Sequence, residues 1–276
     1  MAGHKKSLSQ CDALIGIHPR GKHILGDLFE ANDSQTQTGV PHRLLNEVDD
    51  GRESLVKCLR EAIVRHHASP EMLARDKKRR EAMEALGYGD KQDTMSRFPR
   101  NVTTQKGNLT EIVLAEYIEA SSDAQIPVYR LRYNPNVDQA MKGDDILAFD
   151  FDSNPVRVIV GESKFRKTSA KKAVEDIVDG LEKSHKAGVP VSLQFVADRL
   201  FEEGNDELAK KVLNCSLLFA MNRLQIDYVG FMLSDMKCSH TMCINTPPSL
   251  RRLVVMSLDM DSPESIIEPC FKGLEG

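Results

Sequence analysis

Apolar residues return at three- and four-residue intervals between residues 52 and about 67, where Leu55, Val56, Leu59, Ala62 and Ile63 share one stripe. This spacing predicts a helix. Ser69-Pro70 opens a second helix through Met72, Leu73, Met83 and Leu86, which Gly87 and Gly89 end. Ahead of both, residues 1–50 are rich in Gly, His, Asp and Gln, and only the Ala-Leu-Ile-Gly-Ile run at 13–17 is apolar. Short strands and loops are expected there. After a polar stretch at 90–107 the pattern becomes helix, strand, strand, strand, helix. Asn108 caps a helix reaching about residue 120, and residues 126–133, 146–151 and 156–164 read as strands. The last two are joined by Asp-Ser-Asn-Pro, residues that favour turns, so they form a hairpin. A helix follows over about 169–186, then Gly188-Val189-Pro190, then a helix over about 192–219 that Gly204-Asn205 interrupts. Residues 228–233 and 253–258 close the chain as strands. The expectation is an α/β fold with a mixed central sheet flanked by helices, in which residues 1–96 form an α/β extension on a main domain of residues 97–276.

Composition narrows the class without changing this picture. The chain has 276 residues, 41% of them hydrophobic and 28% charged, the proportions of a water-soluble globular protein. The basic N-terminus MAGHKKSLSQ is not followed by an apolar run, and no stretch of about 18 apolar residues occurs. Six cysteines (Cys11, Cys58, Cys215, Cys238, Cys243, Cys270) show no framework spacing, which fits reduced thiols and a cytoplasmic location. The net charge of −4 and pI near 6.1 exclude a general basic surface that coats nucleic acid. Any contact with a polyanion is therefore local. Arg75, Lys77, Lys78, Arg79 and Arg80 are interleaved with acids and read as a solvated helix face.

The chemistry is concentrated in KGDDILAFDFDSNPVRVIVGESKFRK. Phosphodiester hydrolysis needs carboxylates that hold a divalent cation, and a lysine that orients the attacking water or offsets developing charge. Alternation puts Val158, Val160, Glu162 and Lys164 on one face of the second hairpin strand. A turn centred between Ser153 and Asn154 then sets Asp145 opposite Glu162, on the same face and within reach of one cation. Asp144 points the other way in this register and ranks below Asp145. Glu111 falls among Leu114, Ala115 and Ile118 on the preceding helix, whereas Glu116 and Glu119 take its polar side. A carboxylate on an apolar arc needs a partner, which a metal or the lysine would supply, although a first-turn Glu favoured by the helix dipole accounts for it as well. Downstream, Arg166 and Lys167, with Lys171 and Lys172, form a basic cluster suited to DNA phosphates. Glu-x-Lys alone is also what an exposed strand-edge ion pair looks like. The opposed aspartate is what distinguishes this one.

Other motifs lead nowhere comparable. Cys238-Ser-His-Thr-Met-Cys243 lacks a second cluster to complete a four-ligand zinc site. His66 and His67 diverge by about 100° on a helix and do not share a metal. No nucleophile elbow, Walker A loop or dinucleotide fingerprint occurs. With no Trp and 5% aromatic residues, a base-stacking platform is not indicated.

Helix-Glu, strand, Gly-x-Asp on a second strand and Glu-x-Lys on a third resembles the core of the PD-(D/E)xK nuclease superfamily. Asp145, Glu162 and Lys164 stand at its motif positions, Glu111 stands where many members carry an acidic residue, and Asp144 replaces the motif's proline. FPRNVTTQKGNLTEIVLAEYIEA, GDDIL and GESKFRK are similar to the HamA family, nuclease subunits of Hachiman anti-phage defence, over roughly residues 97 to 260. The resemblance implies a restriction-endonuclease-like core and a deoxyribonuclease held in check by a helicase subunit resembling HamB. Hard oxygen ligands at Asp145, Glu162 and Glu111 suit Mg2+ or Mn2+. A second class of function answers to the same residues: a catalytically silent, nuclease-like adapter that binds a helicase or nucleic acid.

Overall fold

The computed structural model describes residues 8–88 and 96–274. Six strands form one sheet in the order β1-β2-β6-β5-β4-β3, comprising β1 (Phe29–Gln35), β2 (Pro41–Glu47), β3 (Ile146–Asp150), β4 (Val156–Phe165), β5 (Leu224–Ser234) and β6 (Leu253–Asp259). The inner strands β2, β6, β5 and β4 run parallel, and the edge strands β1 and β3 pair antiparallel. Helices cover both faces, as a parallel sheet requires. One face carries α5 (Val102–Ser121) with α1 (Gln10–Ile15), α2 (Ile24–Leu28), α3 (Arg52–His67) and α10 (Ile267–Phe271). The other carries α6 (Lys171–Lys186), α7 (Leu193–Glu202), α8 (Asp206–Ala220) and α9 (Cys238–Asn245). The remaining helix, α4 (Pro70–Ala85), buries no residue, in line with its mixed charges. Among the described residues, no helix is long and apolar enough to cross a membrane. All six cysteines are unpaired.

The expected hairpin is present in its expected register, with Ile146 opposite Gly161 and Asp150 opposite Arg157. The helix expected over 192–219 divides at Gly204-Asn205 into α7 and α8. Three expectations need correction. The first fifty residues contain two short helices as well as strands: a capping box of Ser9 and Asp12 starts α1, which takes in residues 13–15 of the apolar run, and His23 caps α2. The helix placed after Asn108 starts six residues earlier, at Val102, where Asn101 accepts bonds from the Thr103 and Thr104 amides. Asn108 is buried inside it, its Nδ2 3.0 Å from Nε2 of His67. Residues 126–133 are not a strand. Pro127 has no N–H to offer a ladder, so pairing stops at one bridge, Gln125 with Phe149, and the chain coils into a 3-10 turn over Arg130–Tyr133. Gly89, expected to help end α4, and the basic residues Lys5 and Lys6 lie outside the described residues.

The boundary expected at residues 96 and 97 falls between α4 and α5, and the sheet crosses it, since β2 pairs with β6. A buried cation ties this N-terminal part together. Arg43 of β2, 1% exposed, reaches Asp12 and Asp33 at 2.7 Å each, and also bonds the carbonyl of Gly16. Removing one partner of such a cluster leaves its opposite charges unpaired. Arg43→Ala is therefore expected to cost about 3 kcal/mol, read as a lowered urea midpoint at unchanged slope. An unmoved midpoint would show that the cluster adds nothing.

Candidate active site

In open α/β sheets, ligands bind beyond the carboxyl ends of the strands. At that end of β4 lies a cleft of about 370 Å³ whose walls include Glu111, Arg130, Asp145, Glu162, Lys164 and Arg166. Alternation along β4 delivers Glu162 and Lys164 to one face, and β3, running the opposite way, begins just after Asp145. The expected members Asp145, Glu162, Lys164 and Glu111 thus come together from two strands and a helix.

Each carboxylate is held differently. Asp145 Oδ2 accepts the Ser163 amide at 2.8 Å and the Ser163 hydroxyl at 2.9 Å, while Oδ1 accepts Nη2 of Arg130 at 2.7 Å. Glu162 pairs through Oε1 with Nζ of Lys164. Its side chain lies against Gly180 of α6, where an added Cβ would come within 2.9 Å of the carboxyl carbon. The absence of a side chain there makes the space that Glu162 occupies. Burial, reinforced by the charge of Asp145 and opposed by Lys164, pushes the Glu162 carboxyl up to about 7.

Glu111 sits in the middle of α5 rather than in a first turn, so the helix dipole does not account for it. Arg130 does, bidentate, with Nε to Oε1 at 2.7 Å and Nη2 to Oε2 at 2.8 Å. Glu116 and Glu119, expected on a polar face, turn inward. Glu116, largely buried, bonds Arg65 and His66, and Glu119 bonds the Tyr129 hydroxyl and the Ile126 amide. Their partners come from α3 and the loop after α5, which helical phase does not show.

Asp144 is drawn to the start of α7 instead of into the cleft. It accepts the Ser192 amide at 3.0 Å, and its own amide donates to the Ser192 hydroxyl at 2.9 Å, fastening the start of α7. Arg166 lines the cleft and touches Asp176. Lys167 is 75% exposed at the rim, paired with Glu264, whose other oxygen takes Lys106. Lys171 and Lys172 pair with acids of their own helix turn. His66 and His67 serve separate partners, Glu116 and the Ile63 carbonyl. Cys238 is buried on α9 with its Sγ 3.3 Å from the Met232 carbonyl.

Among the described residues, no three His, Cys, Asp or Glu side chains are arranged as a ready metal cage. What the cleft offers instead is a pair of hard oxygen donors, Asp145 and Glu162. That set fits Mg2+ or Mn2+, since Mg2+ is commonly held by one or two carboxylates, with waters and substrate phosphates completing its shell. Glu111, expected as a third ligand, has both oxygens engaged by Arg130. Sequence reasoning missed Arg130, Ser163 and Gly180. The signal for Arg130 was present, since a buried Glu111 demanded a partner, but the residue was hidden in a segment read as a strand.

Comparison with known proteins adds a relationship along nearly the whole chain. A family model described as HamA matches residues 22–272. The Hachiman protein HamA of Bacillus cereus is 36% identical over 265 residues, covering 94% of this chain and 93% of that protein. A match of this extent takes in the cleft and both faces of the sheet, and the chain belongs to the HamA family.

Proposed function

We propose that this chain is a metal-dependent deoxyribonuclease of the PD-(D/E)xK kind, an effector of anti-phage defence governed by a helicase subunit resembling HamB. The observation that carries the reading is the convergence of Asp145, Glu162 and Lys164 on one cleft at the carboxyl end of β4. Membership of the HamA family supports the defence context and the helicase partner.

Asp145 and Glu162 would hold Mg2+ or Mn2+, which when bound would polarise the phosphate and acidify an attacking water. The remaining work belongs to the chain. Ser163 and Arg130 fix both oxygens of Asp145, so it presents a set geometry. Lys164, in contact with Glu162, stands where it orients the water and offsets the charge that develops on the phosphate. Arg166 on the cleft wall and Lys167 at its rim meet the flanking phosphates, a local positive edge on an acidic chain.

Asp145→Asn, Glu162→Gln and Lys164→Met are each expected to cut cleavage of plasmid and linear DNA by at least about a hundredfold. Cleavage by the wild-type chain alone should vanish with chelator and return with Mg2+ or Mn2+, and adding the helicase should lower it. Undiminished cleavage in these variants would end the reading. No cleavage in any condition, with helicase binding intact, would favour the adapter.

Gly180→Ala provides a separate check on Glu162, because the added methyl meets its carboxyl group. Cleavage should fall about tenfold or more, since small misplacements of reacting groups are expensive. The unfolding midpoint should change little, because alanine is the better helix former. Unchanged cleavage would mean that Glu162 does not depend on this cradle.

The raised Glu162 carboxyl also makes a statement about stability. The folded chain keeps a proton that the unfolded chain releases near pH 4.5, so this group's contribution is full below that value and is lost as pH rises through about 7. In chelator, Glu162→Gln should remove that decline and be more stable than wild type above pH 7. Thermal melts of both proteins from pH 4.5 to 8 check it, and parallel curves would contradict it.

A further inference from the structure

Among the described residues, Arg130 is the one side chain in the cleft that touches two of its three carboxylates, and it is only 11% exposed. It comes from the 3-10 turn Arg130–Tyr133, outside the sheet and outside α5. Its fork grips Glu111 with Nε and Nη2, and the same Nη2 continues to Asp145 Oδ1. The remaining nitrogen, Nη1, lies 3.4 Å from the Met141 carbonyl. With Ser163 filling Oδ2 of Asp145 through two donors, Arg130 leaves Oδ1 the freer oxygen of that carboxylate.

We infer that Arg130 is a positioning residue for metal loading: anchored by Glu111, it aims Asp145 so that a divalent cation is shared by Asp145 and Glu162, and Glu111 acts through Arg130 rather than as a ligand. This rests on the nuclease reading above. The chemistry is that of an outer-sphere partner, which fixes a ligand's orientation without touching the metal, and loss of such partners costs 10- to 100-fold in affinity or activity. Two features single out arginine. Its planar fork satisfies both Glu111 oxygens while the second N–H of Nη2 reaches another carboxylate, which a single ammonium cannot reproduce. It is also buried among fixed partners, so it holds one geometry rather than sampling many.

Arg130→Lys keeps the charge and a bond to Glu111 but gives up the bridge to Asp145. Glu111→Gln/Arg130→Gln removes one charge of each sign, so the net charge of the site is unchanged and no buried ion is left alone. Both are tested as full-length chains, with Mn2+ alone titrated calorimetrically in the absence of DNA, and circular dichroism confirms folding. The expected result is Mn2+ binding weakened about tenfold in each. Cleavage should show a matching rise in the Mn2+ concentration needed for half-maximal rate, and DNA affinity in chelator should stay at the wild-type level. Mn2+ binding equal to or tighter than wild type in Arg130→Lys would overturn the inference, since a Glu111 released from the fork would then be acting as a ligand. Weaker DNA binding in chelator with unchanged Mn2+ binding would also overturn it, making Arg130 a strand contact. If wild type binds no Mn2+ and cuts nothing, the nuclease reading itself fails. If wild type binds Mn2+ and Asp145→Asn does not, while Arg130→Lys matches wild type, only this inference fails.

Discussion

The pairing of β3 with β4 in a single register is the constraint on which the site depends. Side chains alternate with a period of two, so slipping the hairpin by one residue would send Asp144 toward Glu162 and turn Asp145 away. The register is held at both ends. The turn residues set it at one end, and at the other the apolar faces leave no choice, since Leu147 and Phe149 pack with Val158 and Val160 while Ile146 and Ala148 pack with Ile159. A slip would exchange the two sets between differently shaped helical layers and lose the fit of both. The two copies of Asp at 144 and 145, identical in composition, are therefore separated in role by geometry: one fastens α7 through Ser192, the other enters the cleft.

Close packing on both sides of β4 is what lets so polar an end exist on so apolar a strand. α5 approaches at Gly161, where an added Cβ would lie 2.8 Å from Ile146 and 3.1 Å from Leu114, and α6 approaches at Gly180 against Glu162. Neither helix could come so near over a larger residue. The same closeness removes water from Glu162, which is why its carboxyl is lifted, and from Glu111, which is why it has a guanidinium. Desolvation outweighs the paired cation at each, so the carboxyls of Glu111 and Glu162 are both pushed up to about 7.

Much of this was legible in the chain. Alternation and turn residues placed Asp145, Glu162 and Lys164 together, because the hairpin is local and its signals lie within about twenty residues of one another. Helical phase marked Glu111 as buried. What stayed hidden depends on distant contacts. Asn101 and Asn108 are equally good caps by type, and only burial against His67 shows that Asn108 is interior. Glu116 reads as a surface residue until α3 brings Arg65 and His66 to it. The apolar segment around Pro127 has the composition of a strand but lacks the donors of one, and the turn it forms carries Arg130 into place.

The charge balance of the cleft follows from these origins. Glu111, Asp145 and Glu162 face Arg130 and Lys164, so with every group ionised these five alone are one negative charge in excess, while Lys106, Lys142 and Arg166 make the lining as a whole positive. Arg130 is spent on Glu111 and on one oxygen of Asp145, and Lys164 on one oxygen of Glu162, which concentrates the excess between Asp145 and Glu162. A buried pair of like charges in that state favours either a shared proton or a cation. The lifted Glu162 carboxyl is the proton's form of that demand, and a divalent ion is its other form. The arginine that looks at first like a rival for the metal's place thus acts the other way: it holds Glu111 and one oxygen of Asp145 and leaves Asp145 and Glu162 as two carboxylates whose charges oppose each other.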